Sequence, residues 1–194
     1  MEPSPDSVEE KIIVATIECL EKNGVQGTTI RKIAESAGIN SAAINYYFRS
    51  KEVLVQRAME RTLANAFDWT DLASLPGDTP QEYCAAIFIH LLEGGVHYPG
   101  ITRAHFYSLL TAGDYDTLVV KKLNKFVEHL VTELQQRGLK MEKGKLETAC
   151  IQITSSVFML ILSPKLFQPG FGLDVTDPKQ RQELITGLVD HLLS

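Results

Sequence analysis

Apolar residues recur every three or four positions along almost the whole of this 194-residue chain, which is the spacing of an amphipathic helix. The first apolar stripe follows Ser7, which forms a capping-box pattern with Glu10, and the stripe is expected to stop at Gly24. No segment alternates convincingly between apolar and polar residues. The sequence therefore predicts an all-α protein.

Short helices are predicted in the N-terminal part of the chain. The second helix opens at Thr28 and stops at Gly38, and the third reaches about Phe48. The fourth begins at Ser50 and is predicted to run toward Trp69. Two short helices joined through a glycine turn have the outline of a helix-turn-helix, whose second helix enters the major groove of DNA. An ordinary helical hairpin has the same outline, so the outline leaves both interpretations open.

Longer helices are predicted in the rest of the chain. A capping box formed by Thr79 and Glu82 begins a helix that is expected to end at the Gly94-Gly95 pair. The last helix is expected to begin at Asp177, which precedes a proline.

Residues 142–163 form a predicted helix that is apolar nearly all round, and such a helix must be covered on every side. A homodimer in which the last two helices of each subunit form a four-helix bundle is the simplest solution. The alternative is the central core helix of a monomer. The predicted interface residues are Ile153, Val157, Leu160, Ile161, Leu184, Leu188 and Leu192. The connecting segment 163–174 is also rich in apolar residues and is expected to pack down.

Charge is distributed unevenly around a net value of −5. Residues 22–57 contain six cations and two anions, a net charge of +4, so the remainder of the chain carries −9. This asymmetry favours a nucleic-acid contact by the N-terminal segment of an otherwise acidic protein.

Composition also limits the location of the protein and the chemistry of its cysteines. No apolar run approaches the roughly 20 residues of a membrane span, and the start MEPSPDSVEEK does not resemble a signal peptide. A cytoplasmic location without a membrane partner is therefore expected. Cys19, Cys84 and Cys150 are far apart and odd in number, so they are interpreted as small buried apolar residues rather than a disulfide framework, with redox sensing as the less favoured alternative.

The third predicted helix has two different faces. Its apolar face, expected to pack on the first two helices, carries Ile44, Tyr47 and Phe48. Its other face is small and polar near the start of the helix and carries Ser41, Ala42, Asn45 and Tyr46. Asparagine can pair bidentately with adenine, serine can bond to bases, and an alanine methyl can contact the thymine methyl. Arg31 could reach a guanine or a phosphate, and Ser50 with Lys51 could hold a phosphate at the start of the fourth helix.

The segment TTIRKIAESAGINSAAINYYFRSKEVL resembles the DNA-binding signature of the TetR (tetracycline-repressor-like) family of transcriptional regulators. The matching positions are Thr28, Thr29, Ile33, Ala34, Gly38, Tyr47, Phe48, Ser50, Lys51, Glu52 and Leu54. One departure is Asn45, where many family members have tyrosine. The resemblance implies an N-terminal three-helix helix-turn-helix DNA-binding domain at residues 1–52. A larger helical ligand-binding and dimerisation domain at residues 53–194 would follow it.

The function implied by this resemblance is that of a DNA-binding regulator, and the chain is not expected to be an enzyme. A homodimer would bind a palindromic double-stranded operator and act as a repressor that a small-molecule effector releases. The predicted DNA-binding residues are Thr29, Arg31, Asn40, Ser41, Ala42, Asn45, Tyr46, Tyr47, Ser50 and Lys51. A regulator without an effector and, less favoured, a small helical enzyme are the alternatives.

The stretch HLLEGGVHYPGITRAHFY combines three histidines and two tyrosines with apolar residues. A polar lining of an apolar effector pocket is one interpretation, and ordinary packing is the other. The predicted effector-binding residues are Trp69, Phe88, His90, His105, Tyr107 and Phe158. No catalytic residue, metal site or cofactor is predicted, because the histidines and cysteines lack the spacing of metal ligands.

Overall fold

The computed structural model describes residues 8–194, and all regular secondary structure in this part of the chain is helical. The helices are α1 (Val8–Gly27), α2 (Ile30–Ala37), α3 (Ser41–Phe48), α4 (Lys51–Ala66), α5 (Trp69–Ala73), α6 (Pro80–His97), α7 (Pro99–Ala112), α8 (Leu118–Gln136), α9 (Lys143–Leu162), α10 (Gln168–Phe171) and α11 (Pro178–Leu192). The all-α prediction is confirmed for these residues. The capping box predicted at Ser7 lies outside them.

The chain divides into two compact units. Among the described residues, unit 1 comprises those up to Asn65 together with Tyr98–Tyr115, and unit 2 comprises Ala66–His97 with Asp116–Ser194. The functional boundary predicted after residue 52 stays a prediction, but the compact unit around α1–α4 also includes α7.

Unit 1 is built on a small apolar core. Its main cluster contains Ile12, Ala15, Cys19, Ile33, Ala34, Ile44, Phe48 and Leu54, from α1, α2, α3 and α4. A break occurs at Gly24, where a helix end was predicted: Gly24 has the non-helical values φ 65° and ψ −179°, and helical structure resumes after this kink to Gly27. The buried Thr28 hydroxyl donates to the Gly24 carbonyl at 2.8 Å, which satisfies a carbonyl that the kink leaves free.

Helix α4 ends earlier than predicted. It stops at Ala66, and α5 begins separately at Trp69. Asp68 causes the break, because its extended backbone and its carboxylate, which accepts the Thr70 N–H at 2.8 Å, form the N-cap of a new helix.

Helix α7 packs tightly against α1 within unit 1. A Cβ on Gly100 would lie 2.1 Å from the carbonyl oxygen of Glu21, so only glycine permits this approach. The Glu21 carboxylate accepts the Ile101 N–H at 2.9 Å, and Gln26 Nε2 donates to the Tyr107 hydroxyl at 3.0 Å. These contacts make α7 part of the same compact body as the predicted DNA-binding helices.

Unit 2 has a larger apolar core drawn from α5, α6, α8, α9 and α11. The capping box of α6 is confirmed: Thr79 Oγ1 accepts the Glu82 N–H at 3.2 Å, and Glu82 Oε2 accepts the Thr79 N–H at 3.1 Å. The predicted end of this helix at Gly94-Gly95 is wrong, since α6 continues to His97. Gly95 instead lies against the Ile161 side chain, so it provides close packing rather than a helix end.

Helix α9 is covered mainly by its own chain. Four residues assigned from the sequence to a subunit contact, Ile153, Val157, Leu160 and Ile161, lie in the core of unit 2. The interface set is corrected accordingly, because the exposed apolar residues of α9 are Ile151 (55%) and Met159 (52%). Among residues 8–194, α9 is also the one helix long and apolar enough to cross a membrane, contrary to the sequence expectation. Core helices of water-soluble proteins have the same property.

The segment between α9 and α11 departs from the prediction that it packs down. Leu173 contacts the core of unit 2, but Phe171 on α10 is 85% exposed and its ring meets Phe167 edge-on at 6.4 Å.

The three cysteines are buried and free, as predicted. Burial raises the pKa of Cys150 to about 12 and also raises the pKa values of Cys19 and Cys84. Thiols in such surroundings stay protonated and unreactive near neutral pH.

Candidate nucleic-acid interface

The helices α2 and α3 have capping residues at the ends that border the turn between them, and α2 is also capped at its start. Thr29 Oγ1 accepts the Lys32 N–H at 3.3 Å at the start of α2, and Gly38 ends this helix. Asn40 Oδ1 then accepts the Ala43 N–H at 2.8 Å and starts α3. Thr29 and Asn40 were predicted to bind DNA; the described structure gives both of them a capping role, and their DNA contacts stay predictions.

Helix α3 has the two faces that the sequence predicted, with one exception. Ile44 and Phe48 are buried, and they anchor the helix to the core of unit 1. Tyr47 was predicted to join them but is 42% exposed, and its ring meets Tyr46 edge-on at 5.3 Å. The outward residues are Ser41, Ala42, Asn45 and Tyr46, all exposed. The anchored face therefore presents a short polar and aromatic surface to solvent.

The cations of unit 1 differ in their availability to a ligand. Lys32 Nζ donates to Asn23 Oδ1 at 2.8 Å and to the Gly27 carbonyl at 2.9 Å, so it caps the end of α1. Arg31 lies 3.7 Å from the Glu35 carboxylate, and both side chains are largely exposed. An exposed pair of this kind is weak, so Arg31 remains available to an external anion, and its predicted DNA contact stays a prediction.

Two further arginines connect α1 to α4. Arg57 forms an ion pair with Glu9, and Arg61 forms one with Glu10. Arg57 also lies over the Phe48 ring, 5.8 Å from its centroid. These cations hold the helices of unit 1 together and are occupied by their own chain.

The start of α4 already holds a carboxylate. Ser50 Oγ accepts the Val53 N–H at 3.2 Å, as predicted for an N-cap. The pKa of Glu52 is lowered by a hydrogen bond from its own backbone N–H, by one from the Ser50 hydroxyl, and by the nearby Lys51 charge. A DNA phosphate at this helix end would compete with the Glu52 carboxylate for the same donors.

The predicted effector residues are divided between the two compact units. In unit 2, Phe88 is buried, Trp69 and Phe158 are half-buried, and His90 is exposed. The Trp69 ring stacks on His129 with centroids 3.8 Å apart, a partner that the sequence analysis missed. The remaining two predicted residues, on α7, belong to unit 1.

His105 and Tyr107 fasten α7 to its neighbours in unit 1. The Thr62 hydroxyl donates to the Met59 carbonyl at 3.0 Å, so it accepts from His105 Nε2 at 2.9 Å. His105 is therefore the neutral tautomer protonated at Nε2, and burial lowers its pKa to about 4. Together with the Gln26–Tyr107 bond, this contact assigns packing roles to two of the predicted pocket residues. Their role in effector binding stays a prediction.

Arg49 was missed by the sequence analysis. It lies directly after α3, is exposed, and has φ 60°, the only positive φ of a non-glycine residue among residues 8–194. A glycine at this position would have signalled the turn, whereas an arginine gives no such signal. The described part of the chain contains no group of three side chains suited to hold a metal ion.

Comparison with known proteins identifies the N-terminal segment. Residues 12–58 match the family model described as bacterial regulatory proteins, tetR family. The HTH-type transcriptional regulator BetI of Vibrio atlanticus is 31% identical over 93 residues, which cover 46% of each protein. The aligned region is thus less than half of that relative.

Solved structures resemble the whole chain in fold. A transcriptional regulator from Rhodococcus sp. Rha1 superposes with a TM-score of 0.75 at 20% identity, covering 96% of both chains. The transcriptional regulator FadR from Bacillus subtilis, solved in complex with stearoyl-CoA, superposes with a TM-score of 0.65 at 17% identity, covering 95% of this chain and 97% of FadR.

Proposed function

We propose that the chain is a sequence-specific, DNA-binding transcriptional regulator of the tetR family, since residues 12–58 match the model of that family. It acts as a homodimer on a two-fold-symmetric operator in the cytoplasm. It represses transcription until a small-molecule effector releases it from DNA.

The observation that carries this proposal is the division of α3 into an anchored and a free face. Ile44 and Phe48 fix the helix, while Ser41, Asn45 and Tyr46 are exposed on an element short enough to enter the major groove. Small side chains at the start of α3 let the backbone approach base edges. The Asn45 side-chain amide carries a donor group and an acceptor group, which can pair with the acceptor and the donor on the major-groove edge of adenine.

Phosphate contacts would orient this helix on the duplex. Lys51 is half-buried in the first turn of α4 and has no ion pair within residues 8–194. Its charge acts on the Glu52 carboxylate, which accepts a hydrogen bond from the Ser50 hydroxyl in the DNA-free protein. On DNA, a phosphate would replace that carboxylate and fix the docking register without reading sequence.

The dimer would form on the faces of α9 and α11 that their own chain leaves uncovered. On α9 these positions include Ile151, Ser155 and Met159, spaced along one side of the helix. On α11, the half-buried Leu184 and Leu188 of the predicted interface keep part of their surface free, as does Leu192. Burying these side chains against a second copy would remove apolar area from water.

Effector control is supported by the fold. FadR, which shares this fold, was solved with stearoyl-CoA bound. In the present chain, the helices on either side of α7 belong to unit 2, while α7 itself belongs to unit 1. An effector that prefers one arrangement of unit 2 would act on unit 1 through these connections, in proportion to its differential affinity for the two arrangements.

Selection of bound duplexes from a random DNA pool at low salt tests the proposal. The enriched sequences should contain two inverted half-sites whose centres are about 10 base pairs apart, the spacing of two recognition helices on one face of DNA. The protein should sediment as a dimer both alone and on this DNA. An absence of enriched sequences would contradict the regulator and favour the enzyme alternative.

A further inference from the structure

The chain reverses between α3 and α4 through a strained turn centred on Arg49. This residue has φ 60° and ψ −39°. The Ser50 N–H donates to the Phe48 carbonyl at 2.6 Å, and this bond between residues i and i+2 closes a γ-turn. The γ-turn with positive φ is rare, because the Cβ of any residue other than glycine crowds the backbone there.

The helices on both sides hold Arg49 in this conformation. Phe48 and Leu54 are buried in the core of unit 1, and the Arg49 N–H donates to the Asn45 carbonyl at 3.1 Å. A strained residue persists only where its surroundings fix it, and such residues concentrate at functional sites. Glycine would adopt the same turn with less strain. Folding alone therefore favours glycine at position 49, and an arginine there indicates a role for the side chain outside folding.

The Arg49 guanidinium is available to an external ligand. The side chain is exposed and makes no ion pair or side-chain hydrogen bond within residues 8–194. By contrast, Arg57 is paired with Glu9, and Lys32 is bonded to Asn23. Arg49 thus differs from the neighbouring cations in having both a costly backbone and an unoccupied charge.

We propose that Arg49 binds a phosphate of the DNA backbone beside the base pairs that α3 contacts. The planar fork of guanidinium N–H groups matches phosphate oxygens, and the charge neutralises one phosphate. Asn45 and Tyr46 lie one turn earlier on the exposed face of α3, so a duplex in contact with that face comes within reach of Arg49. This inference rests on the proposed function.

Three variants at one position separate the side chain from the backbone. Arg49→Ala removes the charge and keeps the strain, Arg49→Gly removes both, and Arg49→Lys keeps the charge. Each variant and the wild type are compared by melting temperature without DNA and by operator affinity at several salt concentrations.

Both Arg49→Ala and Arg49→Gly should bind the selected operator about fivefold more weakly per subunit, hence about 25-fold for a dimer. The slope of log K against log salt should become shallower by about 0.9 per subunit, with no change in base preference. Arg49→Lys should keep the wild-type salt slope. Only Arg49→Gly should melt higher than the wild type, by about 3 °C, because it alone relieves the strain.

The outcomes distinguish this inference from the proposed function. If the wild type binds no duplex, the regulator itself is contradicted. If the wild type binds and Arg49→Ala has the same affinity and salt slope, the phosphate contact is wrong while the regulator stands. A melting temperature of Arg49→Gly below that of the wild type would overturn the strain argument that motivates the proposal.

Discussion

Unit 1 and unit 2 hold their helices together in different ways. Unit 1 combines a small apolar core with polar bonds between helices, such as the Arg61–Glu10 ion pair, the Thr62–His105 bond and the capping of α7 by Glu21. Unit 2 relies on a large apolar cluster shared by five helices. Its main polar exception is the buried Arg181, whose Nη1 donates to the Val175 carbonyl at 3.1 Å.

This difference follows from size and function. A small unit buries a smaller fraction of its surface, so polar contacts contribute more to its stability. In unit 1 one face of α3 is also exposed to solvent, so the side chains on that face add nothing to the apolar core. The stability of unit 1 should therefore depend on pH and salt, whereas the stability of unit 2 should depend mainly on packing.

The largest expected effect is the loss of packing in unit 2. Ile153→Ala would leave a cavity among buried neighbours and should lower the free energy of unfolding by about 3 kcal/mol. Urea unfolding followed by fluorescence measures it, since Trp69, the only tryptophan, lies in unit 2.

Leu166→Ala is the control, because it also truncates an apolar side chain of unit 2 but at an exposed position outside the proposed subunit contact. It should change the free energy of unfolding by less than about 1 kcal/mol. Equal effects of the two variants would mean that Ile153 does not contribute to the core of unit 2 as its burial indicates.

The next effect concerns the pH dependence of unit 1. His105 has a pKa of about 4 in the folded chain and an ordinary value near 6.5 when unfolded. Between these values the unfolded chain binds more protons, so stability is complete above pH 6.5 and falls as pH decreases. The loss from pH 7 to pH 5 should be about 2 kcal/mol, seen as lower hydrogen-exchange protection factors in α7 once the intrinsic exchange rate at each pH is taken into account.

His105→Gln tests the source of this pH dependence. The glutamine amide can still donate to Thr62 Oγ1 but does not titrate. The variant should therefore lose most of the dependence between pH 7 and pH 5, a range above the titration of the carboxylates. A pH dependence as steep as that of the wild type would exclude His105 as its cause.

The sequence predicted unit 1 better than unit 2, for a physical reason. In α3 only one face is apolar, so helical spacing separated Ile44 and Phe48 from the exposed Asn45. In α9 nearly every face is apolar, and spacing alone assigned Ile153 and Val157 to a subunit contact although their own chain covers them. A pattern shows which residues avoid water but not which neighbour covers them.

Contacts between segments that are distant along the chain could not be predicted from the sequence either. The role of Gly100 depends on the position of Glu21, and the role of His105 depends on Thr62. The strain at Arg49 arises from the direction in which α3 and α4 are anchored, which local spacing does not encode. Caps such as Asn40 were predictable, because the interacting groups lie within three residues of each other.

A smaller effect should distinguish the proposed base contact of unit 1 from its proposed phosphate contact. Asn45→Ala should lower the preference for one or two operator positions by about 1.5 kcal/mol each, because it removes the proposed base contact. Lys51→Ala is the control: it should weaken binding to all duplexes alike and make the salt dependence shallower. Competition binding against single-base operator variants measures both, and an unchanged base preference in Asn45→Ala would exclude Asn45 from base recognition.

The smallest expected effect is that of the ion pairs between α1 and α4. It tests directly whether polar contacts contribute to the stability of unit 1. A double-mutant cycle of Glu10→Ala and Arg61→Ala should give a coupling free energy of about 1 kcal/mol, since Glu10 is mostly shielded from water. The more exposed pair of Arg57 and Glu9 should give about 0.3 kcal/mol. Thermal unfolding at low and high salt measures both cycles, and added salt should reduce the exposed coupling more strongly. If neither coupling differed from zero at low salt, polar contacts would not explain the stability of unit 1, and its small apolar core would have to be sufficient.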